Sequence, residues 1–414
     1  MDKKILIYGM GKTGKAVKKF CENNKIKYFT FDDNIDKRNR FDKLIKNTSK
    51  IIISPGISKS NENIKFAISK KIDVISEIEF ASSYIEKPLI AITGTNGKTT
   101  TCLLTYALLK DLGKKVFLGG NIGKPLISSL NRKIEYDLYL VECSSFQLQF
   151  INNKFSPFIS LITNLSPNHL DHHKNLKEYY DSKYKIFSNQ KRNSYFISNI
   201  KDIKRKNKFF ESKKINFITS SLKESKEYIM YKKIKIHKNK LKLIGGHNFT
   251  NIVNSLEILS IFIEPNKKTL DCLYKFSPPS FRLEKISNKP HIYNDSKSTS
   301  PAATAKALDS FNEKIYLIMG GKDKNLDYMS IKKVMKRKTK KIFLYGENKF
   351  KISRYLNDIN CEICIDLKSA VKNCLIQAKH NDIILFSPGT SSFDQFKSYI
   401  ERGNSFNSYV RQFT

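Results

Sequence analysis

The sequence predicts an α/β fold in three domains. Short apolar runs alternate with helical patterns along most of the 414 residues, and several of these runs end in glycine-rich turns. The alternation breaks at Pro88 and again at Ser277-Pro278-Pro279. Because alternating strands and helices indicate parallel sheets with crossover helices, we expect three such domains, at residues 1–87, 88–277 and 278–414.

The first domain begins with an apolar run, Lys4–Tyr8, followed by glycines at 9, 11 and 14 and a helical pattern at Lys15–Cys21. This order of strand, tight turn and helix is typical of a Rossmann-like domain. An acidic pair, Asp32-Asp33, ends a second predicted strand at Lys27–Phe31. The spacing would suit NAD, but the same turn can bind any nucleotide diphosphate, so both interpretations stay open.

A third strand at Lys50–Ile53 ends in Ser54-Pro55-Gly56, and a similar segment, Ser387-Pro388-Gly389, follows a predicted strand near the C-terminus. Parallel sheets bind ligands at the carboxyl ends of their strands. Both segments are therefore expected to line binding sites.

The central domain begins with a strand at Leu89–Thr93, a glycine loop at Gly94–Thr100 and a helix to about Asp111. Backbone N–H groups at such a loop bind phosphates, which predicts a P-loop ATPase-like domain. Lys98 would neutralise the β- and γ-phosphates, and the Thr99 hydroxyl would reach Mg²⁺. The first glycine comes two residues later than the usual spacing requires, so a generic glycine turn is the alternative.

Further strands are predicted at Asp137–Glu142 and Phe158–Thr163, which gives a mostly parallel central sheet. The lysine-rich stretch at 191–242 is expected to form peripheral strands and loops, and a helix is expected after the segment Gly245–Asn248.

Carboxylate and imidazole groups follow these strands. Glu142 ends its strand opposite the phosphate loop, where it would coordinate Mg²⁺, although a solvated strand-end glutamate is the alternative. His169 is predicted to bind a second Mg²⁺. Zinc is disfavoured there because the sequence offers no matching cysteine and no H-E-x-x-H arrangement.

The third domain has predicted strands at Lys314–Met319, Lys341–Tyr345 and Asp382–Phe386 that alternate with helical segments. It is predicted to be a second Rossmann-like domain. Among the seven cysteines, only Cys361 and Cys364 form a C-x-x-C pair, and we interpret them as core residues because no second pair accompanies them.

The formal net charge is +37, which would suit a basic ATPase that acts on nucleic acid. The lysines are spread along the whole chain beside abundant Ile and Asn, so we interpret them as compositional bias and expect no nucleic-acid partner. The field would still attract anionic substrates. With no signal-peptide pattern and no run of 18 apolar residues, we expect a cytoplasmic protein without membrane insertion.

Four segments together resemble the Mur ligase superfamily: Gly94–Thr100, Gly119–Gly123, Glu142–Leu148 and His247-Asn248. They are similar to its central ATPase domain, and they would also fit folylpolyglutamate synthase. The D-glutamate-adding branch is favoured by further segments. These are Gly9–Gly14, Ser54–Ile57, Phe281–Glu284, Asn294–Thr299, Ser387-Pro388, Phe393–Phe396 and Glu401–Gly403.

The resemblance covers essentially the whole chain and implies an ATP-dependent amide ligase of peptidoglycan precursor synthesis. It implies UDP-N-acetylmuramoyl-L-alanine and D-glutamate as substrates, an acyl-phosphate intermediate and two Mg²⁺ ions. It also implies that Lys183 is carbamylated, so that this group and His169 hold one ion while Thr99 and Glu142 hold the other. Separately, we expect a monomer.

The remaining site residues are implied in the same way. ATP would be bound by Gly94, Thr95, Asn96, Gly97, Lys98, Thr99, Thr100, Asn248, Arg282 and Asp295. D-Glutamate would be bound by Lys297, Thr299, Lys324, Ser392, Phe393 and Tyr399. The acceptor or the metal shell would be contacted by Asn121, Ser144 and Gln147, and the uridine diphosphate by Lys12, Thr13, Asp32, Asp33 and Gly56. Lys322 is a second candidate beside Lys324, and Tyr399 stands where the family often has phenylalanine.

Overall fold

The computed structural model describes residues 4–131, 134–167, 172–199, 207–288 and 290–414. As predicted, the chain is α/β throughout. It divides into two compact units: unit 1 comprises Met1–Ile236 and Thr250–Leu273, and unit 2 comprises His237–Phe249 and Tyr274–Thr414.

The strands are β1 (Lys4–Tyr8), β2 (Tyr28–Phe31), β3 (Thr48–Ile53), β4 (Asp73–Ser76), β5 (Leu89–Thr93), β6 (Val116–Gly120), β7 (Leu138–Glu142), β8 (Ile159–Ile162), β9 (Tyr195–Ser198), β10 (Asn216–Thr219), β11 (Lys223–Glu224), β12 (Tyr228–Tyr231), β13 (Ile234–His237), β14 (Glu284–Asn288), β15 (His291–Asn294), β16 (Ile315–Gly320), β17 (Thr339–Tyr345), β18 (Cys361–Ile363) and β19 (Ile383–Phe386).

The helices are α1 (Lys12–Asn23), α2 (Arg38–Ile45), α3 (Glu62–Ser69), α4 (Glu77–Ser82), α5 (Lys98–Asp111), α6 (Ser145–Leu148), α7 (Leu176–Ser188), α8 (Asn207–Ser212), α9 (Gly246–Ser260), α10 (Lys267–Lys275), α11 (Pro301–Leu308), α12 (Lys332–Lys338), α13 (Lys349–Tyr355), α14 (Leu367–Gln377) and α15 (Tyr399–Phe413).

The first sheet of unit 1 has the strand order β2-β1-β3-β4, and its strands are parallel. The predicted first strand is confirmed residue for residue, and α1 begins three residues before its predicted start. Close packing explains Gly14 in the first turns of α1, since a Cβ there would lie 2.0 Å from the Gly9 carbonyl oxygen.

The second sheet of unit 1 is parallel, in the order β10-β9-β8-β5-β7-β6. Every residue of β5 is buried, which explains its continuous apolar run. The stretch at 191–242 contains the expected strands: β9 and β10 extend this sheet to its edge, and β11–β13 form a small third one. Phe196 of β9 is fully buried and stacks on Phe210, a contact between distant residues that local composition hides.

Helix α4 joins the first two sheets through buried carboxylates. Glu79 accepts backbone N–H groups from Asn152, Asn153 and Lys154 at 2.6, 2.9 and 2.7 Å. Glu77 accepts the Ile127 N–H at 2.6 Å, at the start of the 3₁₀ turn Leu126–Ser129. One apolar cluster also runs through both sheets. The two sheets therefore share one compact unit, and the boundary at 87/88 stays a prediction, as does that at 277/278.

Unit 2 has one six-stranded sheet, ordered β14-β15-β19-β16-β17-β18. Among the pairings described within this sheet, that of β14 with β15 is antiparallel and the others are parallel. The three strands predicted from the sequence are present, and β14, β15 and β18 add to them. Because β19 lies between β15 and β16, the loops that follow these three strands meet at one edge of the sheet.

Cys364 is buried and Cys361 is half-buried. Burial raises the pKa of both thiols to about 11. Their placement in and after β18 fits the predicted packing role. In the described part of the chain, no helix is both long and apolar enough to cross a membrane.

Candidate functional site

The glycine loop of unit 1 connects β5 to α5, as predicted. Gly97 precedes the helix with φ +82°, and Gly94 has φ +143°. A Cβ on Gly94 would lie 2.0 Å from the Thr163 hydroxyl oxygen, and one on Gly97 would lie 2.4 Å from Asn251 Oδ1. Both positions therefore require glycine.

Residues after the neighbouring strand β8 support this loop. The Asn164 carbonyl accepts the Thr95 N–H at 2.9 Å, and its side-chain oxygen accepts the Asn96 N–H at 3.1 Å. The Thr163 hydroxyl donates to the Asn96 carbonyl at 2.6 Å. These residues are not among those predicted from the sequence, although their position at the carboxyl end of an adjacent parallel strand was a usable signal. Asn251, three positions after Asn248 on α9, was not predicted either.

The Lys98 ammonium donates to the carbonyl oxygens of Gly94 at 2.8 Å and Thr95 at 2.9 Å. The side chain thus folds back over the loop whose N–H groups are the predicted phosphate donors. A phosphate bound by those N–H groups would lie within reach of this cation.

Thr99, Asn121 and Glu142 meet beside the loop. Glu142 is 2% exposed, and its carboxylate accepts from the Thr99 hydroxyl at 2.7 Å and from the Asn121 amide at 2.7 Å. A hydroxyl and a carboxylate next to a phosphate loop are the hard oxygen donors that Mg²⁺ prefers, so these residues fit such an ion. The predicted pairing of Thr99 with Glu142 is present as a direct contact.

Lys183 lies on α7 with 1% of its surface exposed, although it is a lysine in a highly basic chain. Its Nζ lies 2.9 Å from the Gly94 carbonyl oxygen and 4.6 Å from the centre of the Tyr179 ring. Burial, and then the charge of Lys98, hold the pKa of this amine well below that of a free lysine. The predicted residue is therefore at the glycine loop, and its amine loses its proton more readily than that of a free lysine.

His169 and Asp171 lie outside the described residues, so the second metal site keeps one predicted ligand without a position. His172 and His173 pack in an aromatic cluster: their rings contact Phe146, and His173 Nε2 lies 3.0 Å from the Ser145 hydroxyl. These two histidines are thus engaged in packing.

Ser144 and Gln147 cap α6. Gln147 donates its N–H to the Ser144 hydroxyl at 3.2 Å, and the Gln147 side-chain oxygen accepts the Ser144 N–H at 3.0 Å. This reciprocal pair satisfies two N–H groups at the start of the helix. Their predicted contact with the acceptor would have to be made in addition to this role.

The uridine diphosphate candidates line one cleft of about 750 Å³ at the carboxyl ends of β1–β3. The residues in it are Gly9, Gly11, Lys12, Thr13, Asp32, Asp33, Asn34, Ser54, Pro55, Gly56, Ile57, Ser58, Ser60, Asn61 and Glu62.

Hydrogen bonds fix the acidic pair of this cleft. Asp32 accepts the Met10 N–H at 2.7 Å, and this bond is the main cause that lowers the pKa of Asp32. Asp33 accepts from the Tyr8 hydroxyl at 2.6 Å. Lys12 donates to the Gly123 carbonyl, which follows the Asn121 loop.

In unit 2, Asp295 is 5% exposed and accepts from the hydroxyls of Ser298 and Ser387 at 2.5 and 2.9 Å and from the Leu283 N–H at 3.3 Å. Burial raises the pKa of Asp295 to about 6. Arg282, which is half-buried, opposes that shift by its charge. Asp295 therefore organises the loops after β15 and β19.

The other unit 2 candidates are placed as follows. Asn248 is buried and donates to the Ile244 carbonyl at 2.8 Å. The Lys297 ammonium lies 3.8 Å from the centre of the Tyr399 ring. The tyrosine thus makes a cation–π contact at a position where the family often has phenylalanine. Thr299 is exposed.

Two further segments contribute to this edge of the sheet. Ser392 is 2% exposed and precedes Phe393, which is 67% exposed. Lys322 pairs with Glu347 at 2.7 Å, whereas Lys324 is exposed. The pairing of Lys322 leaves Lys324 as the better candidate, which was the preference drawn from the sequence.

Family models match both parts of this arrangement. The Mur ligase middle domain matches residues 92–259, which include the phosphate loop, Glu142 and Lys183. The Mur ligase glutamate ligase domain matches residues 281–389, which include Arg282 and Asp295. Fold and site thus define a ligase of the Mur class. The structure of UDP-N-acetylmuramate-alanine ligase from Thermotoga maritima shares the fold, with a TM-score of 0.60 at 18% identity over 99% of each chain.

Full-length relatives define the family within this class. The UDP-N-acetylmuramoylalanine–D-glutamate ligase of Aquifex aeolicus is 35% identical over 98% of each chain. The ligase of that name from Thermoanaerobacter pseudethanolicus is 33% identical over 99% of this chain and 98% of its own. The chain belongs to the UDP-N-acetylmuramoylalanine–D-glutamate ligase family.

Proposed function

We propose that this chain is an ATP-dependent amide ligase that joins D-glutamate to UDP-N-acetylmuramoyl-L-alanine in peptidoglycan precursor synthesis. The observation that carries the proposal is the likeness over the whole chain to relatives named for this reaction. The phosphate loop with its metal-binding residue types supports the ATP-dependent half, and the loops of unit 2 support an amino-acid site. The domain roles follow: residues 1–87 bind the UDP-sugar, 88–277 ATP, and 278–414 D-glutamate.

The first step activates a carboxylate, which is a very poor acyl donor in water. The L-alanine carboxylate of the UDP-sugar attacks the γ-phosphate, forming an acyl phosphate and releasing ADP. Lys98 offsets the charge on the phosphoryl oxygens, and the loop N–H groups hold the remaining phosphates. Thr99 and Glu142 would hold Mg²⁺, which supplies charge neutralisation between the phosphates.

The second step forms the amide bond. The neutral amine of D-glutamate attacks the acyl carbonyl, a tetrahedral intermediate forms, and its collapse expels inorganic phosphate. Lys297, Thr299 and Lys324 supply two cations and a hydroxyl for the carboxylates of D-glutamate. Ser392 and Phe393, with Tyr399, line the rest of its site.

Lys183 is the proposed second contributor to metal binding, in a modified form. A neutral amine attacks CO₂, forms an N–C bond and releases a proton to solvent, which leaves a carbamate anion. Burial, and then the charge of Lys98, keep this amine neutral at a lower pH than a free lysine. The carbamate presents oxygen atoms where an ammonium would place a positive charge. With His169 it would hold a second Mg²⁺.

The other assignments rest on which residues lie together in the structure. One cleft, which is large enough for a nucleotide diphosphate, contains Lys12, Thr13, Asp32, Asp33 and Gly56. Asn121 donates to Glu142 and so orients the carboxylate that would bind the metal. The proposed ATP-binding residues of unit 2 are Asn248, Arg282 and Asp295. Of these, Asp295 acts through the loops that it holds in place.

One assay tests the proposal. Phosphate release is measured with ATP, Mg²⁺ and UDP-N-acetylmuramoyl-L-alanine, without an amino acid, with D-glutamate and with L-glutamate. We expect release that requires D-glutamate and a product heavier by one glutamyl residue. Equal turnover of both enantiomers, turnover only with a folate acceptor, or hydrolysis stimulated by nucleic acid would each refute it.

A further inference from the structure

Arg402 is a guanidinium group in the interior of unit 2. It lies on α15 with 0% of its surface exposed, among the largest fully buried side chains described. Its Nε donates to the Ser296 hydroxyl at 3.1 Å, Nη2 to the Ser296 carbonyl at 2.8 Å and Nη1 to the Thr390 carbonyl at 3.0 Å. Across the described residues, no carboxylate lies within salt-bridge distance of it.

The two acceptor residues sit directly before the proposed amino-acid site. Ser296 precedes Lys297 on the loop after β15, and Thr390 precedes the Ser391–Phe393 segment on the loop after β19. These strands are parallel neighbours, with Asn294 opposite Phe386. One planar group therefore bridges the two loops that would contact D-glutamate.

Hydrogen bonds to the end of β15 and the loop after it also hold the backbone of α15. The Cα atom from which the Arg402 side chain extends is therefore fixed. Asn294 donates its amide to the Gly403 carbonyl at 2.9 Å, and the Ser296 hydroxyl donates to the Tyr399 carbonyl at 2.8 Å. A Cβ on Gly403 would lie 2.3 Å from the Phe281 ring, which shows how closely the helix approaches. These contacts hold the helix close to the loop after β15 at the position of Arg402.

We propose that Arg402 is a positioning residue for the amino-acid substrate: its fork sets the separation of the Lys297–Thr299 and Ser391–Phe393 segments. Its buried charge, balanced by carbonyl dipoles, adds a positive field beneath a site for a dicarboxylate. The inference rests on the proposed function, since it assigns these segments to D-glutamate. Arg402 itself does not contact the substrate.

Arginine suits this role because its donors diverge in one plane and reach two carbonyls at once. Lysine keeps the charge but has no rigid fork, so it can hold one loop and leave the other free. Methionine has a similar length and offers neither charge nor donor. The two substitutions therefore separate the effect of charge from that of geometry.

The test compares steady-state kinetics of Arg402→Lys and Arg402→Met with those of Arg411→Lys and Arg411→Met. Arg411 is exposed on the same helix and is the matched control. We expect the KM for D-glutamate to rise roughly tenfold in the lysine variant and further in the methionine variant, since 1 Å misplacements at a site have effects of this order or larger. The KM values for ATP and the UDP-sugar should stay within about twofold, and the Arg411 variants should match the wild type.

Three outcomes decide against the inference. An unchanged KM for D-glutamate in folded Arg402→Lys overturns it, and so does a parallel rise of all three KM values with a lower melting temperature, which would indicate a purely structural role. If neither Arg402 variant folds, Ser296→Ala removes one acceptor and decides: an unchanged KM for D-glutamate overturns the inference. Wild-type protein without D-glutamate-dependent turnover would instead refute the proposed function.

Discussion

Glu77→Gln should stabilise unit 1 at alkaline pH. Glu77 is 2% exposed, its Oε1 accepts the Ile127 N–H, and its Oε2 has no hydrogen-bond partner among the described residues. Burial raises the pKa of this carboxyl from 4.5 to about 7. At pH 8 the folded protein must therefore hold a buried carboxylate with an unsatisfied oxygen, which glutamine avoids.

The sign and size of this stability change follow from the linkage between proton binding and folding. Below pH 4.5 the carboxyl is protonated in both states, and its contribution to stability is complete. Between pH 4.5 and about 7 the unfolded chain releases the proton while the folded chain keeps it, so the free energy of unfolding falls as pH rises. A difference of about 2.5 pKa units corresponds to a loss of about 3 kcal/mol at pH 8.

The assay is urea denaturation of wild type and Glu77→Gln at pH 5 and pH 8. We expect the variant to gain up to about 3 kcal/mol relative to wild type on going from pH 5 to pH 8. Glu79→Gln is the matched control, because that carboxylate is saturated with backbone N–H donors. It should lose about 1–3 kcal/mol at pH 8. A Glu77→Gln variant with the same relative stability at both pH values would refute the reasoning.

The remaining predictions concern catalysis. Glu142→Gln should lower kcat by about 10²–10³-fold and raise the Mg²⁺ requirement with little change in melting temperature, because one anionic ligand is lost. Glu135 is exposed, so Glu135→Gln is the control and should change neither kcat nor the Mg²⁺ requirement. A fully active Glu142→Gln enzyme would contradict the metal assignment. Lys98→Ala should remain folded in circular dichroism and lose most activity, and near wild-type ligation would remove it from the ATP site. Lys183→Ala should be nearly inactive and partly rescued by acetate, which restores a carboxylate in the vacated volume, whereas Lys98→Ala should not be rescued. Full activity of Lys183→Ala, or a bare lysine in a metal-loaded complex, would end the carbamate proposal.

Features that depend on local sequence were predicted well. β1 and β5 have the predicted bounds because an apolar run bounded by glycine specifies a strand and its end. The contact of Thr99 with Glu142 could also be anticipated, since the carboxyl ends of adjacent parallel strands lie together.

Features that depend on packing between distant residues could not be predicted. The sequence marks Lys183 only by resemblance, and its burial beside Lys98 is set by how α7 packs against the loop. Ser144 and Gln147 were expected at the substrate, and the structure adds a helix cap that the spacing i, i+3 could have indicated. The bounds of β9 and β10 could not be predicted in the lysine-rich stretch, because lysines outnumber the few buried aromatic residues there.

The carbonyl oxygen of Gly94 is shared by two amines, those of Lys98 and Lys183. Under the proposed function, a nucleotide that drew Lys98 towards its phosphates would leave this oxygen to Lys183. It would also remove the repulsion that, after burial, lowers the pKa of Lys183. Nucleotide binding and uptake of CO₂ by Lys183 would then be reciprocally coupled, as two ligands of one protein must be. Nucleotide titrations in degassed and in bicarbonate-equilibrated buffer would differ by that coupling.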